Sequence, residues 1–311
     1  MAETRRDLLR KGGQLTAAGV VVSTAGCLRQ IPVVGPMIAG PRLPPKKWVG
    51  APGVIGDGDH ESFSHVNYEE ILNNESELDS DTAESFTEME GSAWEAAGLS
   101  TEDAVVGLDW GGVSIVQGNL NKNDAVSALE EEAFSEETTK NDFTILSGDD
   151  GSEYPRRGAG VTGNRIIEGY GTSDKDPDEV VATAIDVGNG NEKRYADENE
   201  DFQTLLNKTG IGTITVGSTG EEVEETTAES GQFEGNVASG ARYDINGEDT
   251  AFKAVYIFAS SDDVNTGDIE DYVSELESAE DGILSETRGE ATVNQDGRAG
   301  IIEATIPTNE L

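Results

Sequence analysis

The side chains in this chain best suited to nucleophilic, acid–base or metal chemistry near neutral pH are few: one cysteine, Cys27, and two histidines, His60 and His65, in 311 residues. The histidines fall in Asp57-Gly58-Asp59-His60-Glu61-Ser62-Phe63-Ser64-His65. Imidazoles and carboxylates so close in sequence offer a divalent cation a mixed ligand set of Asp57, Asp59, His60 and His65. The spacing matches no standard zinc site, and the calcium-loop pattern lacks its glycine at the sixth position and its acid at the twelfth. A solvated loop is therefore the plainer reading. Gly158-Ala159-Gly160-Val161-Thr162-Gly163 satisfies G-x-G-x-x-G, but it opens onto the strand-like Asn164-Arg165-Ile166-Ile167 rather than a helix, so hairpin glycines explain it better than a phosphate cradle. Gly217-Ser218-Thr219-Gly220 is one residue short of a nucleophile elbow. Carboxylates are too abundant for any pair to stand out as catalytic. Asn74-Glu75-Ser76 and Asn207-Lys208-Thr209 are acceptor sequons for N-glycosylation. No pattern calls for a cofactor.

The elements that must position these groups follow from periodicity. Phe63 to Tyr68 alternates as a strand and Glu69 to Leu78 follows as a helix. Gly112 to Leu120 is a strand, and Asn123 or Asp124 caps a helix with Ala125, Val126, Leu129 and Ala133 on its apolar face. Phe143 to Ser147 is a strand, and Ala159 to Thr162 with Arg165 to Tyr170 forms a hairpin turned at Gly163-Asn164. The next helix has Asp176 as N-cap, Pro177 at its first position, Glu179 at its third and Gly188 as its stop. Another, from Glu200 to Lys208, buries Phe202, Leu205 and Leu206 and stops at Gly210. Thr213 to Val216 and Phe252 to Ala259 are strands, and Ile269, Tyr272, Val273 and Leu276 mark a helix. Ile283-Leu284, Ala291 to Val293 and Ala299 to Ile306 follow as strands, with Asp296-Gly297 as a tight turn.

This reading predicts an α+β fold of mixed or antiparallel sheets with helices on one face. Val113–Tyr170 and Phe252–Ile306 both run strand, helix, strand, hairpin, with Ile166-Ile167-Glu168 and Ile301-Ile302-Glu303 in matching places. Two related halves are expected, divided as 57–210 and 211–311.

The first 56 residues have a different texture. Thr4-Arg5-Arg6-Asp7-Leu8-Leu9-Arg10 is basic, Gly12 to Gly26 is uncharged, and Cys27 follows. That order is a charged region, an apolar region and a small-residue cleavage site. The apolar region is shorter than the ~20 residues that a membrane span requires. Residues 1–27 resemble the twin-arginine (Tat) signal of exported lipoproteins, with Thr24-Ala25-Gly26-Cys27 as the lipobox. Thr24 stands where that pattern carries Leu, Val or Ile. The resemblance implies that Arg5 and Arg6 engage the Tat export machinery and that Cys27 receives the lipid. It also implies that the protein sits on the extracytoplasmic face of the cell membrane. Residues 28–56 hold Pro32, Pro36, Pro41, Pro44, Pro45 and Pro52 together with Arg29, Arg42, Lys46 and Lys47, and read as a semi-rigid basic tether.

The chain has 62 acidic and 21 basic residues and a net charge of −41. Loss of residues 1–26 would remove four cations and two acids, leaving −43. Charge of this size argues against a nucleic-acid partner, because phosphate binding needs a basic footprint. With the export signal and few lysines, it resembles the proteins of extremely halophilic archaea. The function expected is a lipid-anchored surface protein with a binding or structural role, the alternative being an extracellular hydrolase that uses carboxylates or a metal. Self-repulsion of the carboxylates should be held in check only where the Debye length falls to ~3 Å in molar salt. The folded domain should therefore lose its structure as salt is dialysed down to the millimolar range, and circular dichroism that stays unchanged across that range would contradict this.

Overall fold

The computed structural model describes residues 43–56, 58, 60–79, 82–83, 93–148, 156–227, 230–279 and 283–311. Of these, the residues within 43–72 and 93–199 form one compact unit, and those within 73–83 and 200–311 form the other. The helix beginning at Glu200 thus belongs with the C-terminal unit, ten residues before the boundary drawn from sequence.

The N-terminal unit departs from the sequence expectation at its first described residues. Residues 43–56 are not a free tether but a strap folded into the unit, with Leu43, Trp48, Val49, Ala51 and Ile55 all buried. Pro45–Trp48 is a single helical turn, α1, with proline at its first position, where a missing N–H costs nothing. Tyr195 N–H donates to the Val49 carbonyl at 3.0 Å, and Ala51 N–H donates to the Lys193 carbonyl at 3.1 Å. The prolines suggested an extended spacer, but each large apolar side chain between them gains roughly 1.5–3 kcal/mol on burial. That gain decides the conformation.

The strands of this unit are β1 (Ser62–Val66), β2 (Ala104–Trp110), β3 (Val113–Gly118), β4 (Phe134–Lys140), β5 (Phe143–Gly148), β6 (Arg157–Val161) and β7 (Arg165–Tyr170). They pair antiparallel in the order β1-β2-β3-β7-β6-β5-β4. Between them run α2 (Tyr68–Asn73), α3 (Ala93–Ala96) and α4 (Lys122–Glu131), and after them α5 (Pro177–Asn189) and α6 (Tyr195–Glu198). The start of α5 is as the sequence predicts: a capping box in which the Glu179 carboxylate accepts the Asp176 N–H at 3.2 Å, with Pro177 next in line. Its end is not. The helix runs through Gly188 and stops at Gly190, whose φ of 76° is left-handed. Gly188 is there because the Trp48 ring lies against it; a Cβ would fall 2.2 Å from the ring.

The same logic explains the glycines of β6. A Cβ on Gly158 would sit 2.5 Å from the Pro177 carbonyl oxygen, and one on Gly160 would sit 2.7 Å from Val181 Cγ1. Bare backbone lets α5 pack directly on the sheet.

The C-terminal unit contains α7 (Glu200–Thr209), β8 (Ile214–Thr219), β9 (Asn236–Asn246), β10 (Asp249–Phe258), α8 (Thr266–Ser278), β11 (Thr292–Asp296) and β12 (Ala299–Pro307). Its antiparallel order is β8-β9-β10-β12-β11. Ile283-Leu284, expected as a strand, is a turn whose Leu284 plugs the core beneath α8. The fold class is α+β with antiparallel pairing, as expected. The helices, expected on one face, cover both. Ile269, Tyr272 and Val273 of α8 pack with Ala254 and Tyr256, while Leu205 of α7 packs with Val255 and Ile257. Successive residues of β10 point to opposite faces, and both are apolar, so both need a cover.

The two units share one topology. A three-strand meander (β1-β2-β3 or β8-β9-β10) is followed by a helix (α4 or α8) and a hairpin (β6-β7 or β11-β12) whose second strand pairs beside the third. The hairpin β4-β5 is extra in the N-terminal unit. The Ile-Ile-Glu tripeptides do lie on corresponding strands, β7 and β12, but on opposite sides. Ile302 faces α8, so Glu303 faces away from it, whereas Glu168 faces α3, which packs on α4. A shift of one residue in a strand reverses every side chain, so the matched letters are not matched positions.

The strap generates a prediction. Gly188→Ala should destabilise the protein by about 1–3 kcal/mol through overpacking against Trp48. Urea unfolding in molar salt measures this, and a variant of wild-type stability would mean that the ring does not rest on the helix.

Candidate functional site

An open concavity lies on the C-terminal unit. Its floor is the face of the sheet that α7 covers only in part. Pairing sets Arg242 of β9 beside Lys253 of β10, and Lys253 beside Glu303 of β12. The next row on that face is Asp244, Ala251 and Thr305. Arg288, Gly289 and Glu290 wall the far side and close a cleft of about 390 Å³. The wall is fixed where Arg288 N–H donates to the Thr305 carbonyl at 2.7 Å. Ala251, short and exposed, leaves the middle of the floor low.

Every cation in the cleft has a carboxylate. Arg242 pairs with Asp244 on its own strand and also donates to the Thr209 carbonyl at 3.3 Å, in the last turn of α7. Lys253 Nζ lies 3.3 Å from Glu303 Oε1, and Arg288 Nη1 lies 2.7 Å from Asp249 Oδ1. Residues 200–311 hold 25 acids and five bases, and three of the five bases line this cleft. Such a surface can hold a polar or charged group by exchanging one partner of an ion pair for another. Its residues include no cysteine or histidine, and both carboxylates on its floor are committed to cations.

A second polar cluster crosses the N-terminal sheet. Ser64, Asp109, Ser114 and Glu168 are consecutive cross-strand neighbours on β1, β2, β3 and β7. Ser64 Oγ donates to Asp109 Oδ2 at 3.2 Å, and Ser114 Oγ donates to Asp109 Oδ1. Glu168 is only 2% exposed. Burial raises its carboxyl above the usual range and Asp109 adds to this, while Arg157, 3.6 Å away, the Ala93 backbone and the Tyr170 hydroxyl oppose it. Glu61, packed under the Gly111-Gly112 turn and 8% exposed, is pushed up to about 7 by burial.

The residues singled out from sequence fare differently. His60 is exposed in its loop, whereas His65 is buried in β1. Asp57 and Asp59 lie outside the described residues, as do Arg5, Arg6 and Cys27. Among the described residues no three His, Cys, Asp or Glu side chains are placed to hold a metal. Asn74 is half-buried and its side-chain carbonyl accepts the Gly247 N–H at 2.8 Å. Asn207 is exposed on α7. The cleft itself was not singled out, because Arg242, Lys253 and Arg288 are far apart in sequence and meet only through strand register.

No family model and no curated protein matches the chain. Among solved structures it is similar to crystal form III of TP0453, with a TM-score of 0.47 and 12% identity over 84% of this chain and 96% of that one. Crystal form I of TP0453 gives a TM-score of 0.46 and 11% identity over 84% and 95%.

Glu61 makes stability depend on pH. Its folded value of about 7 lies above an ordinary 4.5, so the folded state favours the protonated form. Stability should be highest below pH 4.5, fall as pH rises through the window to about 7, and stay low above it, by roughly 3 kcal/mol from this residue. Glu61→Gln should therefore stabilise the protein near pH 8 and change little near pH 4. Urea unfolding at both values checks this, and an equal effect at both would rule out the carboxylate as the cause.

Proposed function

We propose that this protein is a lipid-anchored, extracytoplasmic surface protein of a halophile with a binding role, exported through Arg5 and Arg6 and held to the membrane through Cys27. The observation that carries this reading is the single cysteine at the end of Thr24-Ala25-Gly26-Cys27, behind a paired-arginine segment and ahead of a strongly acidic chain. A chain with no other thiol can be lipidated there without competing thiol chemistry. Among the described residues no helix is long and apolar enough to cross a membrane, so attachment in this reading rests on the lipid. The cleft formed by Arg242, Lys253, Arg288 and Glu303 supports the binding role, since its ion pairs are open to solvent and can exchange partners.

The hydrolase reading draws on Asp109 and Glu168, two carboxyl groups on one face of a sheet with different surroundings. Binding is the better-supported role, because Glu168 is closed off from solvent and Asp109 is occupied by two serine hydroxyls.

Fractionation of cells tests the anchor. Cys27→Ser should release the protein to the medium or leave it unprocessed, and Arg5→Lys combined with Arg6→Lys should strand the precursor inside the cell. A Cys27→Ser protein that stays with membranes at its mature mass would exclude lipid attachment at this residue.

A further inference from the structure

Of the fifteen lysines and arginines among the described residues, nine have a carboxylate within 4 Å. Among the described residues, the cations with no carboxylate within 4 Å are Lys46, Lys47, Lys122, Arg165, Lys175 and Arg194. All but Lys122 belong to the strap or lie against it. Lys46 and Lys47 are exposed on α1. The Arg165 guanidinium stacks 4.8 Å from the centre of the Trp48 ring, and Lys47 Nζ lies 5.9 Å from the same ring. Lys175 Nζ donates to the Val54 carbonyl. Arg194 donates to the Val187 and Gly188 carbonyls at 3.0 and 3.1 Å, beneath Trp48. Residues 43–56 contain no acid.

Structural duties account for Lys175 and Arg194, which tie down carbonyls, and partly for Arg165, which donates to Gln117 Oε1 at 3.3 Å. They do not account for Lys46 and Lys47, which make no ion pair and stand in a segment that contains no acid. From these observations we infer that the exposed face of the strap, led by Lys46 and Lys47 with Arg165 behind them, is a docking surface for anionic lipid headgroups. This rests on the anchor proposed at Cys27. The sixteen residue steps from Cys27 to Leu43 span at most about 55 Å at the ~3.3–3.6 Å per residue of a fully extended chain, so a lipidated Cys27 would keep the strap close to the bilayer. Tethering of this kind gives an effective concentration of order millimolar, so even a weak contact is populated. A basic side chain at an anionic membrane contributes about 1 kcal/mol at physiological ionic strength, and in molar salt only direct contacts survive screening. The rest of the surface, dominated by carboxylates, is repelled by the same headgroups. Residues 43–56 contribute no carboxylate to that repulsion.

The test is amine acetylation of the lipidated protein in vesicles, followed by mass spectrometry, at the lowest salt that preserves its circular dichroism. Lys46 and Lys47 should be labelled about fivefold less in phosphatidylglycerol than in phosphatidylcholine vesicles, the equivalent of about 1 kcal/mol per residue. Lys122 should be labelled equally in both. Equal labelling of Lys46 and Lys47 in the two vesicle types, with the protein bound to both, would overturn the docking surface and leave the anchor standing. If the protein floats with neither, the anchor fails, and the docking surface, which is populated only through that tether, is overturned with it.

Discussion

Mutual repulsion among carboxylates is the constraint under which everything else in this molecule is arranged. With 62 acids against 21 bases there is no possibility of pairing them all, and the structure does not try. Its few cations are spent at joints. Arg298 ties Asp201 and the Phe258 carbonyl, fixing the start of α7 to the sheet, and Lys208 reaches Asp296 from the other end of the same helix. Arg157 stands beside Glu168, and Lys140 pairs with Asp186 of α5. Exposed pairs of this sort contribute little each in water and less in salt. Their placement at element junctions suggests that they fix how the parts meet, while apolar burial supplies most of the stability.

That burial is organised twice in the same way. In each unit a meander and a returning hairpin make a sheet with a helix on either face, and the core residues alternate between the two covers. The faces differ in what they exclude. Under α5, three glycines, Gly158, Gly160 and Gly169, bring helix and sheet together without side chains on the sheet's part. Under α7, Leu205 meets Gly240 and Val255, and the helix ends early enough to leave Arg242 and Lys253 open to water. The same layout thus gives a closed surface in one unit and a cleft in the other.

Much of this was legible in the sequence where punctuation and periodicity agreed. Asp176-Pro177 and Glu179 announced α5, and Ile269, Tyr272 and Val273 announced α8, because capping and a 3.6-residue apolar stripe act locally. Three strands were not legible. β9 is diluted by Ala238, Gly240 and Ala241, small residues that admit Val216 and Leu205 from neighbouring elements. β4 is a polar edge strand. In β2 the alternation of Val106, Leu108 and Trp110 was present but crossed by Gly107, which makes room for the Tyr68 ring. The strap was misread because proline density outweighed Leu43, Trp48 and Ile55. The cleft could not be read at all, since strand register is a long-range property that no local spacing encodes.

Consider finally what the strap does mechanically. In the anchored state proposed above, drag would enter the chain at Cys27 and travel along it until something resists it. The first described residue, Leu43, is already fully buried, and within a dozen residues Trp48 is wedged over Gly188 while Val49 and Ala51 are hydrogen-bonded to the segment after α5. Load is therefore shared among several contacts before it reaches β1. Pulling would have to extract an indole from beneath a stacked guanidinium before it could begin to unzip the sheet.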